Sequence, residues 1–183
     1  MKKGDKIITR REFFRKTIEE PLVRTAVEAP IVCAGGIVAR QLISRAFMSR
    51  EEIRGMNKAI REDWQNKSTR DKLVRQLDGS IAAPLIEETL FRILPSKIID
   101  LFPEKKGKIC WEAGIPISAL FGFIHYPHAL IPEPYKKKYI PATEFLLGCY
   151  YWYIMRERGA KAAVEGHSLL NLFYHAFLEG TSR

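Results

Sequence analysis

The chain has 183 residues, enough for one domain with a buried core, and with 46% hydrophobic and 28% charged residues it is not a disordered chain. Its net charge of +9 suits an anionic surface. The basic residues occupy the N-terminal arm and the loops between apolar segments instead of one face. This distribution favours a lipid bilayer as partner and argues against nucleic acid.

Residues 1–48 are predicted to form a basic N-terminal arm followed by an amphipathic or membrane-associated helix. Residues 9–16 are similar to a twin-arginine export signal, but acidic residues interrupt the apolar region that such a signal requires. Residues 26–47 are helical in pattern, yet Gly35, Gly36, Glu28 and two arginines weaken them as a membrane span. Whether this helix crosses the bilayer or lies on it stays open.

Residues 49–79 are strongly charged and predict one polar amphipathic helix. Ser49 and Glu52 form a capping-box pattern at its start, and Gly79 is expected to close it.

Residues 80–183 are predicted to form a helical bundle with four apolar segments, 81–102, 113–131, 139–155 and 160–178. Pro95 is expected to bend or end the first. The second contains nineteen residues without Asp, Glu, Lys or Arg, close to the length of about 20 that spans a bilayer. An aromatic cluster at 150–153 is typical of a membrane interface.

These elements together predict an all-α, integral-membrane helical bundle with four core helices and N-terminal amphipathic helices. A soluble bundle with unusually apolar helices is the alternative. Positive charge lies on both sides of nearly every segment, so the orientation in the membrane cannot be assigned. The three cysteines, Cys33, Cys110 and Cys149, are far apart and are expected to be small buried side chains.

The run from Ala83 to Arg92 places two carboxylates and a guanidinium in an otherwise apolar helix. Charged residues are rarely buried unless they are paired or take part in chemistry. Glu88 and Arg92 are four residues apart and can pair on one helical face, whereas Glu87 is rotated by about 100° from Glu88. We therefore expect Glu87 to be the unpaired carboxylate, with a pKa raised towards neutrality and suited to a general base. A solvated Glu-Glu step is the structural alternative.

Two later apolar segments carry polar residues at helical spacing. His125 follows Phe121 by one turn, and Asn171 follows His167 by one turn. A histidine such as His125 is often a hydrogen-bonded core residue, and a His–Asn pair often forms structural hydrogen bonds between membrane helices. His167 and Asn171 could also donate hydrogen bonds to an oxyanion. Three such helices in one chain predict one shared polar site.

The motifs Glu87-Glu88-x-x-x-Arg92, Phe121-x-x-x-His125 and His167-x-x-x-Asn171 resemble, in this order, those of the CAAX protease and bacteriocin-processing family. This family, also called CPBP or Abi, consists of intramembrane endopeptidases. The resemblance covers about residues 81–178. Ile93 stands where a small residue often follows the arginine.

The resemblance implies a role for each matching residue. Glu87 would activate the attacking water, and His125 would bind or orient it. Glu88 and Arg92 would support the glutamate helix, and His167 and Asn171 would stabilise the oxyanion. The resemblance implies either no required cofactor or one divalent metal, zinc, held by Glu87, His125 and His167.

The leading functional prediction is an intramembrane endopeptidase that uses a glutamate-activated water, with CAAX-like or peptide and bacteriocin processing as its reaction. Its partners would be the bilayer and a peptide or protein substrate at the membrane, and its location a multi-pass position in a bacterial inner membrane. The alternatives are a catalytically silent membrane scaffold or immunity protein of the same fold, and a helical metal-binding protein.

Overall fold

The computed structural model describes residues 20–125 and 133–180, and over these ranges the fold is all-helical, without strands. This confirms the predicted all-α class. In chain order the α-helices are α1 (Pro21–Phe47), α2 (Arg50–Gln65), α3 (Thr69–Leu77), α4 (Ala83–Glu88), α5 (Leu94–Ile99), α6 (Trp111–His125), α7 (Glu133–Lys136), α8 (Ala142–Arg158) and α9 (Ala160–Gly180). The export-signal pattern at 9–16 and the end of the second apolar segment lie outside the described residues.

Helices α1, α6, α8 and α9 pack around the centre of the bundle. Ala29 of α1, Tyr151 of α8 and Leu170 of α9 form a buried cluster. At one end, the Arg158 guanidinium lies 2.8 Å from the Glu28 carboxylate and ties α8 to α1. The N-terminal helix is therefore packed into the same bundle as the helices that carry the polar motifs.

The polar segment 49–79 is not the single helix predicted. Its start is confirmed as a capping box, since Ser49 Oγ accepts from the Glu52 N–H at 3.2 Å and Glu52 Oε2 accepts from the Ser49 N–H at 2.8 Å. The helix ends at Gln65, and Ser68 opens α3 by accepting a hydrogen bond from the Asp71 N–H at 3.1 Å. A second N-cap thus divides the segment.

Gly79 does not close a helix, because the backbone stays helical from residue 69 to residue 99. Two π-helical turns, Asp78–Ala82 and Thr89–Ile93, join α3, α4 and α5. We call residues 69–99 the glutamate helix. Pro84 and Pro95 each follow a π turn by two residues, and the wider turn accommodates a residue that cannot donate a backbone hydrogen bond. The helix therefore does not end at Pro95 but continues to Ile99, and a bend at Pro95 stays a prediction.

The glutamate helix buries polar residues and exposes apolar ones. Its buried stripe repeats every four residues, at Ser80, Pro84, Glu88, Arg92 and Ser96. The opposite face carries large apolar side chains that are 48–60% exposed: Ile81, Leu85, Leu90, Leu94 and Ile98. This pattern is the reverse of a soluble amphipathic helix, and an apolar surface of this extent suits lipid.

The two π turns keep the buried stripe straight. An α-helix rotates about 100° per residue, so a four-residue repeat overshoots one turn by about 40° each time. A π turn accommodates an additional residue per turn and cancels this drift. Glu88 and Arg92 therefore stay on the same inner face as Ser80 and Ser96.

By length and composition, one described helix could cross a membrane, the stretch Val23–Phe47 within α1. The glycines and charged residues in the sequence of this helix argue against a membrane span. The second apolar segment, the strongest predicted span, is helical over Trp111–His125 in its described part, 15 residues. The fold thus confirms a helical protein, while the number of spans stays a prediction.

Two of the three cysteines, Cys110 and Cys149, are not the buried residues that the sequence predicts. Cys110 and Cys149 are half-buried and unpaired. Cys110 also adopts a φ of 53°, an uncommon value for a residue with a Cβ, at the turn that leads into α6. The side chain of Cys33 lies outside the described residues.

Small residues allow α6 and α8 to approach closely. Gly114, Ser118 and Gly122 of α6 are buried at four-residue intervals, a small-xxx-small pattern typical of membrane helix pairs. A Cβ at Gly148 of α8 would lie 3.1 Å from Ser118 Cα and 3.3 Å from Arg92 Nη2. The approach of α8 therefore depends on a missing side chain.

We expect Gly148→Ala to lower the apparent melting temperature in detergent, because the new methyl group meets the backbone of α6 at Ser118 Cα, which cannot rotate away. The cost should be about 1–3 kcal/mol, as for other overpacked cores. Gly35→Ala is the matched control, since a Cβ there meets nothing within 4 Å and alanine favours the helix. Equal melting temperatures for the two variants would contradict the packing described for α6 and α8.

Candidate active site

Three helices bring the predicted polar residues to one cavity of about 330 Å³. Glu87 reaches it from the glutamate helix, His125 from the end of α6, and His167 and Asn171 from α9. The predicted shared site is therefore present as a geometric arrangement.

Glu87 lies between the two histidines. Its Oε1 is 3.3 Å from His125 Nε2, and its Oε2 is 3.6 Å from His167 Nε2. The expectation of an isolated Glu87 is wrong, because two imidazoles from other helices face it, and the argument for a raised pKa loses its premise. Glu87 Oε2 is buried and accepts no hydrogen bond from the described residues, so it has capacity for a further donor.

Both histidines are held by the ring nitrogen that points away from Glu87. His125 Nδ1 lies 2.7 Å from the Phe121 carbonyl oxygen, and His167 Nδ1 lies 2.9 Å from Glu88 Oε1. A carbonyl oxygen and a carboxylate only accept, so each Nδ1 carries the proton and donates it. Each Nε2 is left to face Glu87 and the cavity.

Glu88 and Arg92 lie behind the cavity. Arg92 Nη1 is 3.7 Å from Glu88 Oε1, and both side chains have no exposed surface. The predicted pairing of these two residues is confirmed. The Arg92 guanidinium makes no hydrogen bond to the described residues and lies over the Phe121 ring at 4.0 Å. Glu88 thus connects the buried arginine to His167.

Sequence reasoning missed Tyr151. Its ring stacks on His167 with 4.3 Å between centroids and 17° between planes, and its side chain is 1% exposed. The sequence predicts a membrane-interface position for the cluster at 150–153, but Trp152 is buried like Tyr151 and donates from Nε1 to the Ile109 carbonyl at 2.6 Å. The aromatic run therefore supports the site and the packing of α8.

Asn171 depends on the first π turn. Its Nδ2 donates to the Gly79 carbonyl oxygen at 2.5 Å. That carbonyl has no backbone donor four or five residues later, because the Ala83 N–H bonds Asp78 O and Pro84 has no N–H. The glycine–proline pattern thus creates the acceptor that positions the asparagine. The amide keeps a second N–H for the cavity.

The cavity has a further polar corner that the sequence did not single out, formed by Arg40, Tyr139 and Glu144. The Tyr139 hydroxyl donates to Glu144 Oε1 at 2.5 Å. A charged residue of α1 therefore faces the same space as Glu87. No motif marked these residues, since they come from separate segments.

The predicted zinc ligands have suitable chemistry, one carboxylate and two imidazoles. Each imidazole also donates from Nδ1 to an oxygen, as metal-bound histidines do. Within the described ranges, however, no three His, Cys, Asp or Glu side chains are arranged to hold a metal ion.

A family model described as type II CAAX prenyl endopeptidase Rce1-like matches residues 70–173, and this range includes all three motifs. The chain belongs to this family. No curated protein and no solved structure matches this chain significantly. The Rce1-like family is membrane-embedded and its members are endopeptidases, which agrees with the exposed apolar face of the glutamate helix.

We expect Glu88→Gln to destabilise this Rce1-like protein by about 3–5 kcal/mol, because it leaves the Arg92 guanidinium buried without a counter-charge. The double variant Glu88→Gln/Arg92→Met should recover much of this loss. The measurement is thermal unfolding in detergent.

Glu62→Gln is the matched control for this prediction. Glu62 pairs with Lys58 at the same four-residue spacing, but both side chains are more than half exposed, so little change is expected. A similar loss in the two single variants would contradict the special burial of Glu88 and Arg92.

Proposed function

We propose that this Rce1-like protein is an intramembrane endopeptidase in which Glu87 activates the attacking water. The observation that carries the proposal is the Glu87 carboxylate, which faces two imidazole Nε2 atoms in one cavity. Glu87 takes one proton from water while His125 Nε2 accepts the other O–H, and the water oxygen attacks the peptide carbonyl.

His167 and Asn171 stabilise the tetrahedral intermediate in this proposal. The carbonyl oxygen becomes negative when the new C–O bond forms, and the Asn171 N–H not used by Gly79 can donate to it. His167, whose Nδ1 is held by the Glu88 carboxylate, donates to the same oxygen from Nε2 when that nitrogen carries a proton. The C–N bond then breaks, and Glu87 returns its proton to the leaving amine.

Glu88, Arg92 and Tyr151 act as positioning residues, because they lie behind His167 and do not meet the reacting atoms. Glu88 fixes the tautomer of His167, and Tyr151 fixes the plane of its ring. Arg92 balances the charge of Glu88.

The proposed substrate is the C-terminal region of a peptide or protein at the membrane, of the prenylated CAAX type that the family description names. We further propose a multi-pass location. The outward apolar faces of α1, the glutamate helix and α6 support it, since each exposes several large apolar side chains.

The test is peptide hydrolysis by detergent-purified protein, with prenylated and unprenylated C-terminal peptides as substrates. We expect Glu87→Gln to lower kcat by at least about 100-fold, because the amide cannot accept a proton, while the fold is kept. Glu104→Gln, in the exposed loop before α6, is the matched control and should keep full activity. Failure of the wild-type protein to cleave any peptide would favour a silent scaffold of the same fold.

We expect activity to survive a strong chelator, and purified active protein to contain zinc well below one ion per chain. The reason is that carboxylate, imidazole and amide groups supply each proposed step. Elemental analysis and peptide hydrolysis on the same sample provide the measurement. Loss of activity on chelation that zinc restores would overturn the metal-free mechanism.

A further inference from the structure

Arg40 is a charged residue of the catalytic cavity that the proposed chemistry does not use. It comes from α1 and lines the cavity together with Glu87 and His167. Its Nη2 atom is buried and has no acceptor among the described residues. The guanidinium lies 6.0 Å from the centre of the Tyr139 ring.

A buried guanidinium nitrogen without an acceptor is costly, so such an atom in a cavity points to a ligand that supplies one. Glu144, which lines the same cavity, lacks a donor where Arg40 lacks an acceptor. Its Oε1 accepts from the Tyr139 hydroxyl, but its Oε2 is buried and has no donor in the described part of the chain. The corner therefore offers one unpartnered donor group, Arg40 Nη2, and one unpartnered acceptor, Glu144 Oε2.

The C-terminal residue of a peptide carries the complementary pair. Its carboxylate accepts two hydrogen bonds and matches the planar guanidinium, and its N–H donates one. A lipid phosphate would also satisfy Arg40, but it has no N–H for Glu144 to accept. The two unpartnered groups together therefore favour a peptide terminus.

We propose that Arg40 binds the C-terminal carboxylate of the substrate and that Glu144 Oε2 accepts the N–H of the last residue. This proposal rests on the proposed function, since the bound carboxylate belongs to the peptide that Glu87 hydrolyses. The separation of Arg40 from Glu87 then sets how many residues from the C-terminus the peptide is cleaved.

The test compares two peptides that differ only at the C-terminus, one a free acid and the other a carboxamide. For the wild-type protein, kcat/KM for the acid should be about 10- to 100-fold higher, mainly through a lower KM. In Arg40→Met the ratio of acid to amide should fall to about one, and Arg40→Lys should restore part of it.

Glu144→Gln serves as the second variant, because its contact is to an N–H that both peptides have. This variant should weaken the binding of both peptides to a similar degree and keep the preference for the acid. A wild-type protein that cleaves acid and amide equally would overturn the proposal. The proposal would also be overturned if Arg40→Met kept the preference for the acid but was no longer inhibited by vesicles of anionic lipid. Arg40 would then bind a lipid phosphate instead of the peptide.

Binding to the Glu87→Gln protein separates this proposal from the proposed function. Acid and amide peptides are titrated against that variant, with and without Arg40→Met. Tighter binding of the acid than of the amide, lost in the Arg40→Met variant, supports the carboxylate site. This holds even if the wild-type protein does not cleave the peptides, because absent turnover counts only against the proposed catalysis. Equal binding of acid and amide refutes the carboxylate site, whatever the rate.

Discussion

The site depends on one buried electrostatic chain, from Arg92 through Glu88 to His167 and then Glu87. Arg92 and Glu88 have no exposed surface, and Glu88 also accepts the hydrogen bond of His167. If Glu88 lost its charge, the arginine would be buried without compensation and the imidazole would lose its fixed tautomer. Stability of the bundle and orientation of the site therefore depend on the same carboxylate.

The backbone of the glutamate helix supports this chain in two ways. Its π turns hold a four-residue repeat of polar side chains on one inner face, where an unbroken α-helix would rotate them outward. The first π turn also frees the Gly79 carbonyl, which Asn171 then binds. A local departure from α-helical geometry thus links the glutamate helix to α9.

The apolar exterior and the polar interior have a common cause. The family is membrane-embedded, and in lipid the helices gain nothing by hiding apolar side chains from their surroundings. Close packing through Gly114, Ser118 and Gly148 brings α6 and α8 together instead. That approach also places the Tyr151 ring against His167 and the Phe121 ring against Arg92.

The sequence by itself determined the helical class, the capping box at Ser49, the pairing of Glu88 with Arg92 and the motifs that share the cavity. These features are local, since they depend on helical periodicity and on residues within one turn of each other. Tertiary structure alone decided that Glu87 faces two histidines, that Tyr151 stacks on His167, and that Arg40 and Glu144 complete the cavity. These contacts join residues far apart in the chain, and no periodicity within one helix reports which side chains of another helix will face it.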